Sequence, residues 1–306
     1  MIQVCDVARY FLVYLILVVI CWSYYAYVIE LCIIWSKSTV QKVFYILVYH
    51  LLVLVFIYSY IKAVISKPPP IPLEFYLDSQ EHAISLDINS DRDKWRKFLE
   101  ELIVKKNLTV YTRDIGSNIR FCSICQLIKP DRAHHCSSCG RCLLRMDHHC
   151  PWVGNCVGFH NHKFFILLLG YGSLFCLFVA ATSIEFAISW WQDPQPKNMR
   201  GVNFLILVVV SAMFFFVQIS LYLYHIYLTI NNQTTLESMR RSIFQDPEVD
   251  SFNLGAIENL KELMGDSVCS WFVPIQSSRG NGIVYPVKRK RMSYQSLEDH
   301  INIRNS

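Results

Sequence analysis

Residues 134–156 read HHCSSCGRCLLRMDHHCPWVGNC, a run with more metal-capable side chains than ordinary packing employs. Seven of the chain's twelve cysteines fall within residues 122–156, and the segment repeats on itself with an offset of fourteen residues. The first unit is Cys122-x2-Cys125-x9-His135-x6-Cys142, and the second is Cys136-x2-Cys139-x9-His149-x6-Cys156. Each offers three thiolates and one imidazole, which suits tetrahedral Zn²⁺ of the closed, structural kind. Two units predict two ions. Because the units overlap, His135 and Cys136 are sequence neighbours that serve different metals. The sites are thereby tied into one cross-linked knot, a staple for a segment with few core-forming residues.

Eight ligands used leave His134, His148 and Cys150 over. Cys150 stands where a third unit would begin, but Val153 occupies the place of the next cysteine. A thiol is a nucleophile only as thiolate, and a nearby base or positive charge favours that form. With His149 on metal, His148 is free to take the proton of Cys150, and Asp147 is placed to hold its tautomer. Orienter, base and nucleophile are compressed into four residues. Cys5, Cys21, Cys32, Cys176 and Cys269 lack such neighbours and read as inert, although Cys5 and Cys269 lie outside the apolar stretches and are open to modification.

The elements that must carry this chemistry are largely greasy. At 306 residues, with 53% hydrophobic side chains and a mean hydropathy of +0.28, the chain is too apolar for a soluble α/β enzyme and too charged to be all membrane. Four stretches, about 10–34, 43–66, 164–191 and 203–228, exceed the roughly 20 residues needed to cross the hydrocarbon. The first is too long for a cleavable signal and reads as a retained anchor. Residues 67–163 carry fourteen Lys and Arg and residues 229–306 carry nine, whereas the short hairpin loops hold only Lys37, Lys42, Lys197 and Arg200. The bias predicts that both termini and the middle segment lie in the cytosol, where disulfides are disfavoured. The sequons at Asn107 and Asn232 are then chance matches. Cys150 lies about fourteen residues before the third span, so its thiol is expected at the cytosolic face of the bilayer. A lipid chain could lie there among the helices, and an acyl thioester with an anionic head suits the basic surroundings.

From Cys122 to Phe165 the pattern Cys-x2-Cys-x9-His-Cys-x2-Cys-x2-Cys-x4-Asp-His-His-Cys-x5-Cys-x4-Asn-x3-Phe resembles the cysteine-rich domain of the DHHC protein S-acyltransferases. The resemblance extends to four spans with the domain between the second and third, and to Thr234-Thr235-Leu236-Glu237, which looks like the family's TTxE motif. QLIKPDRAHHC and WSYYAYV look most like the animal subgroup that contains the human enzymes numbered two, fifteen and twenty. The resemblance implies an α-helical membrane protein with four transmembrane helices and a cytosolic two-zinc domain. It implies that Cys150 takes an acyl group from palmitoyl-CoA and passes it to a cysteine of a membrane-associated protein, in the Golgi, the ER or the plasma membrane. It also implies roles: Cys150 nucleophile, His148 base, Asp147 orienter, and Thr235 bridging the tail to Asp147. Lys129, Arg132 and His134 would meet the CoA phosphates, with Arg141, Arg145 and Lys163 as further candidates, and Trp152 would cover the thioester or chain. Ser23 and Phe175 each stand roughly 20 Å above the cytosolic end, about the length of a sixteen-carbon chain, and would close the far end of an acyl cavity. The subgroup implies tyrosine where this chain has Phe175, so a hydroxyl contact to Ser23 is missing and chain-length preference is open.

Elsewhere, Lys67-Pro68-Pro69-Pro70-Ile71-Pro72 predicts a sharp stop to the second span. Residues 91–106 predict an amphipathic helix that packs on the zinc domain or lies on the membrane. Leu254 to Met264 is weakly amphipathic, WFVPI at 271–275 is a segment that could dock back onto the spans, and the final stretch with Lys288 to Arg291 reads as a disordered basic tail. A rival reading is a membrane scaffold whose zinc knots only bind partners; it leaves Asp147-His148-Cys150 unexplained. A RING-type ligase needs a second terminal Cys-x2-Cys pair, and nucleic acid is a poor partner for a domain pressed against a bilayer.

Overall fold

The computed structural model describes residues 4–88, 91–192 and 199–290. Helix α1 (Val4–Tyr24) continues into a π-helical stretch, Tyr25–Trp35, that ends with Ser36 N–H donating to the carbonyl of Leu31. This wider winding turns Ala26, Tyr27, Leu31 and Cys32 into one core with Tyr49, Phe175, Trp190 and Phe204. Helix α2 (Thr39–Ile65) starts on a Ser38 cap and stops before the prolines. Those prolines lack the N–H groups that the last carbonyls of α2 would otherwise receive. Asn155 supplies replacements, its Nδ2 donating to the carbonyls of Ala63, Val64 and Ser66 at 3.3, 3.3 and 2.9 Å. Asn161 adds a further donor to Ala63 at 3.1 Å. The end of the second span is thus bolted to the cysteine-rich region.

Helix α3 (Ser79–Ile88) is tied through Glu81 to Lys105 and Lys106 at the end of α4 (Arg92–Lys105). The apolar stripe of α4 meets the cysteine-rich region: Leu99 and Leu102 share a core with Ile71, Phe75, Leu127 and Ile128, and Trp95 lies edge-on to Phe121 at 5.1 Å. Of the two sequence-based alternatives for this helix, packing on the metal-site domain is the one observed. After the short strand β1 (Thr112–Arg113) come three antiparallel hairpins. They are β2 (Phe121–Cys122) with β3 (Leu127–Ile128), β4 (His134–Cys136) with β5 (Arg141–Leu143), and β6 (His148–Cys150) with β7 (Asn155–Val157). Helices α5 (His162–Gln192) and α6 (Met199–Ile230) follow. Among the described residues, four helices are long and apolar enough to span a bilayer: Tyr10–Trp35, Thr39–Ile65, His162–Gln192 and Gly201–Ile230. The cysteine-rich region lies between the second and third.

The chain then returns to the hairpins. Helix α7 (Thr235–Met239) leads to β8 (Ile243–Phe244), which pairs with β1, and to β9 (Val249–Ser251). Helix α8 (Ala256–Met264) sets Leu263 and Met264 against Ile166 and Leu167 of α5, and α9 (Val268–Trp271) follows. Beyond it Tyr171 donates its hydroxyl to the carbonyl of Phe272. The basic run is partly ordered: β10 (Lys288–Arg289) pairs with β9, and Arg289 reaches Glu248 at 3.3 Å. Pairing with β9 holds Lys288, and Asp246 and Glu248 hold Arg289, so neither behaves as a free tail; residues 291–306 lie outside those described.

Candidate active site

The three hairpins repeat one shape. Cys122, Cys136 and Cys150 each end the first strand of a hairpin, and Gln126, Gly140 and Gly154 adopt left-handed backbone at equivalent places, with φ of 54°, 64° and 62°. Each metal-site cluster joins the turn of one hairpin to a cross-strand pair of the next: His135 faces Cys142, and His149 faces Cys156. In the first cluster His135 Nδ1 lies 3.5, 3.3 and 3.8 Å from the sulfurs of Cys122, Cys125 and Cys142. In the second, His149 Nδ1 lies 3.7, 3.5 and 3.4 Å from Cys136, Cys139 and Cys156. Tetrahedral bonds of about 2.3 Å to sulfur and about 2.0 Å to nitrogen give donor separations of roughly 3.5–3.8 Å. Both clusters are therefore consistent with metal binding. The third turn has the same backbone, with Val153 in place of a second sulfur.

Cys150 is buried, 7% exposed, in an apolar cluster built by Val13, Phe56, Tyr60, Ala63, Phe164 and Phe165 at the feet of the spans. Asn155, which anchors the end of α2, sits directly across the hairpin from it. The Tyr60 hydroxyl donates to the carbonyl of Trp152 at 2.8 Å, so α2 holds the turn from both sides. The Trp152 ring itself is half exposed.

Asp147 is fully buried and saturated on one oxygen. Its Oδ2 meets His148 Nδ1 at 2.6 Å and accepts from the Thr235 hydroxyl at 2.7 Å, while Oδ1 accepts from the Thr235 N–H at 2.9 Å. Thr234 explains the presentation of Thr235. Thr234 caps α7, with Glu237 closing the reciprocal capping box, which leaves the N–H of Thr235 as an orphan donor at the first helical position. Burial pushes the Asp147 carboxyl up, but the His148 hydrogen bond and the surrounding imidazoles hold it well below the usual carboxylate range. Burial pulls His148 down, yet its hydrogen bonds to Asp147 and Cys150 push it up to about 9. The pair favours an imidazolium beside the thiol.

Of the basic residues singled out above, Lys129, Arg132 and His134 line one cleft of about 1030 Å³, together with Arg92, Arg96, Arg113, Arg120, Arg240 and Arg241. Arg132 stands at its back wall, where its guanidinium grips Glu237 at 2.9 and 2.8 Å, takes Asn232 as a further acceptor, and lies over the rings of Phe252 and Tyr285. Burial alone would lower its affinity for the proton; the Glu237 carboxylate raises it. His134 is pushed down to about 4 by burial and by the Arg120 guanidinium, so it is neutral at physiological pH. Arg141 is exposed, Arg145 is fully buried against Asn232, and Lys163 is buried with its ammonium on the carbonyls of Met264 and Ser270 and the hydroxyl of Ser277. Those last two fasten the C-terminal segment instead of facing the cleft.

High in the bundle Ser23 is not without a hydroxyl partner, as the presence of Phe175 suggested. Tyr49 of α2 supplies one, 3.0 Å from Ser23 Oγ, and stacks on Tyr27 at 4.9 Å with Phe175 edge-on at 5.1 Å. Sequence reading passed over Tyr49 because it is one of many aromatics in an apolar stretch. Asn155 was also missed, and Asn161 stood in the quoted pattern without a role, though two Asn beside a metal ligand and the start of a span are a usable polar signal.

Comparison with known proteins bears on this arrangement directly. Residues 115–242 match the family model of the DHHC palmitoyltransferases. The chain is 40% identical over 289 residues to palmitoyltransferase ZDHHC15 of Rattus norvegicus, covering 93% of this chain and 84% of that protein. It is 41% identical over 277 residues to palmitoyltransferase ZDHHC20 of Homo sapiens, covering 88% and 74%. The chain belongs to the DHHC palmitoyltransferase family. As a protein palmitoyltransferase and a multi-pass membrane protein, it carries the Asp147-His148-His149-Cys150 sequence on β6 and its approach. Similarity to ZDHHC2 of Homo sapiens, at 40% over 268 residues, places it in the same neighbourhood of the family.

Proposed function

We propose that this palmitoyltransferase works through a thioester on Cys150, with long-chain acyl-CoA as donor and cysteines of membrane-associated proteins as acceptors. The observation that carries the reading is the Thr235–Asp147–His148 chain of hydrogen bonds ending at a thiol set in an apolar cluster. In the first step the Cys150 sulfur attacks the thioester carbonyl, the bond to the CoA sulfur breaks, and that sulfur takes the proton held on His148. In the second, His148 receives the proton of the acceptor thiol as its sulfur attacks, and Cys150 leaves as thiolate. One thioester replaces another in each step. Asp147 stabilises the imidazolium and fixes its orientation without itself being protonated.

Two Zn²⁺ ions, on Cys122, Cys125, His135 and Cys142 and on Cys136, Cys139, His149 and Cys156, would supply closed structural cross-links with no position for substrate. The basic cleft supports binding of the CoA phosphates: Lys129 with the arginines of its rim as cations, His134 as a neutral donor, and Arg132 as a charge at the back wall. The acyl chain would run upward from Cys150 past Phe56 to the Ser23–Tyr49–Phe175 layer, which sets its limit, with Trp152 beside the thioester. The cytosolic placement of the hairpins and both termini rests on the distribution of Lys and Arg. The Golgi, the ER and the plasma membrane all suit such a chain.

The test is incubation of the purified metal-loaded protein with palmitoyl-CoA. Wild type is expected to take one hydroxylamine-sensitive acyl group on Cys150 and release CoA, and Cys150→Ser to take none. A folded wild type that stays unmodified returns the metal-bound scaffold to the front.

A further inference from the structure

Next to the Asp147–His148 pair lies a polar group that acyl transfer does not employ. His162, the first residue of α5, and His225, near the end of α6, meet Asp147 so that one donor atom from each lies within 4.8 Å of the others. All three are buried, His162 completely and His225 to 3% exposure. Among the described residues, neither ring nitrogen of His162 has a hydrogen-bond partner, nor does Nδ1 of His225. Buried polar atoms left unpaired are rare in folded proteins and need an explanation, a bound ion being one. The aromatic walls exclude bulk solvent: Phe165 lies edge-on to His225 at 5.1 Å, and Tyr224 at 5.6 Å.

Asp147 still has something to offer such a species. Each carboxylate oxygen has two lone pairs. Both on Oδ2 are taken, but Thr235 N–H uses only one on Oδ1. Two imidazoles and a carboxylate form the mixed nitrogen–oxygen set that prefers a borderline first-row cation over Mg²⁺ or Ca²⁺. With three protein ligands, such a site is exchangeable where the Cys3His clusters are closed.

We propose that Asp147, His162 and His225 form a third, exchangeable site for a divalent cation of the Zn²⁺ type, and that its occupation slows acyl transfer. The cation shares the carboxylate that orients His148 and so competes with that imidazole for Asp147. The inhibitory half rests on the acyl-transfer reading above; the binding half does not.

The experiment begins from the full-length protein with its two tight metals in place. The protein is brought to equilibrium by dialysis against buffers of fixed free Zn²⁺, and bound metal above the free concentration is counted by mass spectrometry alongside the rate of acyl-enzyme formation. Wild type and Cys150→Ser are expected to take a third equivalent, and His162→Gln and His225→Gln to stop at two. Micromolar Zn²⁺ is expected to slow wild type several-fold, and to leave His225→Gln near its own metal-free rate. Added Co²⁺ would give ligand-field bands without a new thiolate-to-cobalt charge-transfer band. A wild type that never exceeds two equivalents overturns the proposal, as does a third equivalent that disappears in Cys150→Ser and persists in the histidine variants, since that metal sits on the thiol. If no acyl-enzyme forms under any condition, the acyl-transfer reading fails while the metal count and the Co²⁺ spectrum still decide the site.

Discussion

The second and third hairpins differ by little in backbone and by everything in chemistry. Both place a cysteine at the end of the first strand and a left-handed glycine after the turn, Gly140 in one and Gly154 in the other. Cys136 has Cys139 beside it and meets His149 and Cys156 in a metal cluster. Cys150 has Val153 in that place, and its neighbours are His148 and the apolar feet of the spans. On the proposed mechanism, a ligand position from which the metal is withheld serves as the nucleophile position. On that reading, one side chain in the turn and one imidazole outside the metal cluster separate a structural cysteine from a reactive one.

The strongest way to break this comparison is to exchange the two outcomes. Cys136→Ser is expected to cost one of the two metals and most of the folded population, read by metal analysis and by loss of a cooperative melt, because metal binding and folding are coupled in such segments. Cys150→Ser should keep both metals and the melt while abolishing the acyl-enzyme. Next, Val153→Cys rebuilds the missing half of the third turn. It should bind Cd²⁺ or Zn²⁺ through Cys150 and lower acyl-enzyme formation by roughly a hundredfold, the thiolate now being a metal ligand. Chelation should restore the rate, and an unchanged rate with added metal would refute the equivalence of the turns.

Smaller effects sharpen the picture on the reactive side. Thr235→Val deletes the hydroxyl donor to a buried carboxylate, a charged hydrogen bond worth about 1.5–3 kcal/mol. The rate of acyl-enzyme formation should fall by roughly tenfold to a hundredfold, with the metal content unchanged. The smallest expected change is in stability against pH. His148 has a folded value raised to about 9 from an ordinary value of about 6.5. Its stabilising contribution is therefore complete below about pH 6.5 and is lost as pH rises through about 9. The melting temperatures of wild type and His148→Gln should differ most in mild acid and converge in alkali; a gap that widens with pH contradicts the assignment.

What could be read from the chain follows the range of the interaction. The Cys and His spacings, the four apolar stretches and the proline stop are local patterns, and their elements stand in the structure. The Thr-Thr-Leu-Glu run is legible as a capping box, which alone predicts a free N–H at Thr235. The partners of Arg132 were not legible because they lie far along the chain: Asn232, Glu237, Phe252 and Tyr285 reach it from the tail. Tyr49 and His225 are hidden for the opposite reason, being single polar groups in apolar stretches whose facing helices no periodicity specifies. Charge in a loop and hydroxyls in a span are both ambiguous until a partner is placed.

The proline run after Ile65 also acts as a depth gauge. The carbonyls of Ala63, Val64 and Ser66 are left over only because the helix halts there, and Asn155, across the hairpin from Cys150, takes hold of them. The height of the sulfur relative to the bilayer is thus counted in residues along the second span. Inserting one residue before Lys67 would raise or lower that count by about 1.5 Å and swing the attachment by about 100°. The outward-facing apolar letters of the span are interchangeable on this account, but its length is not.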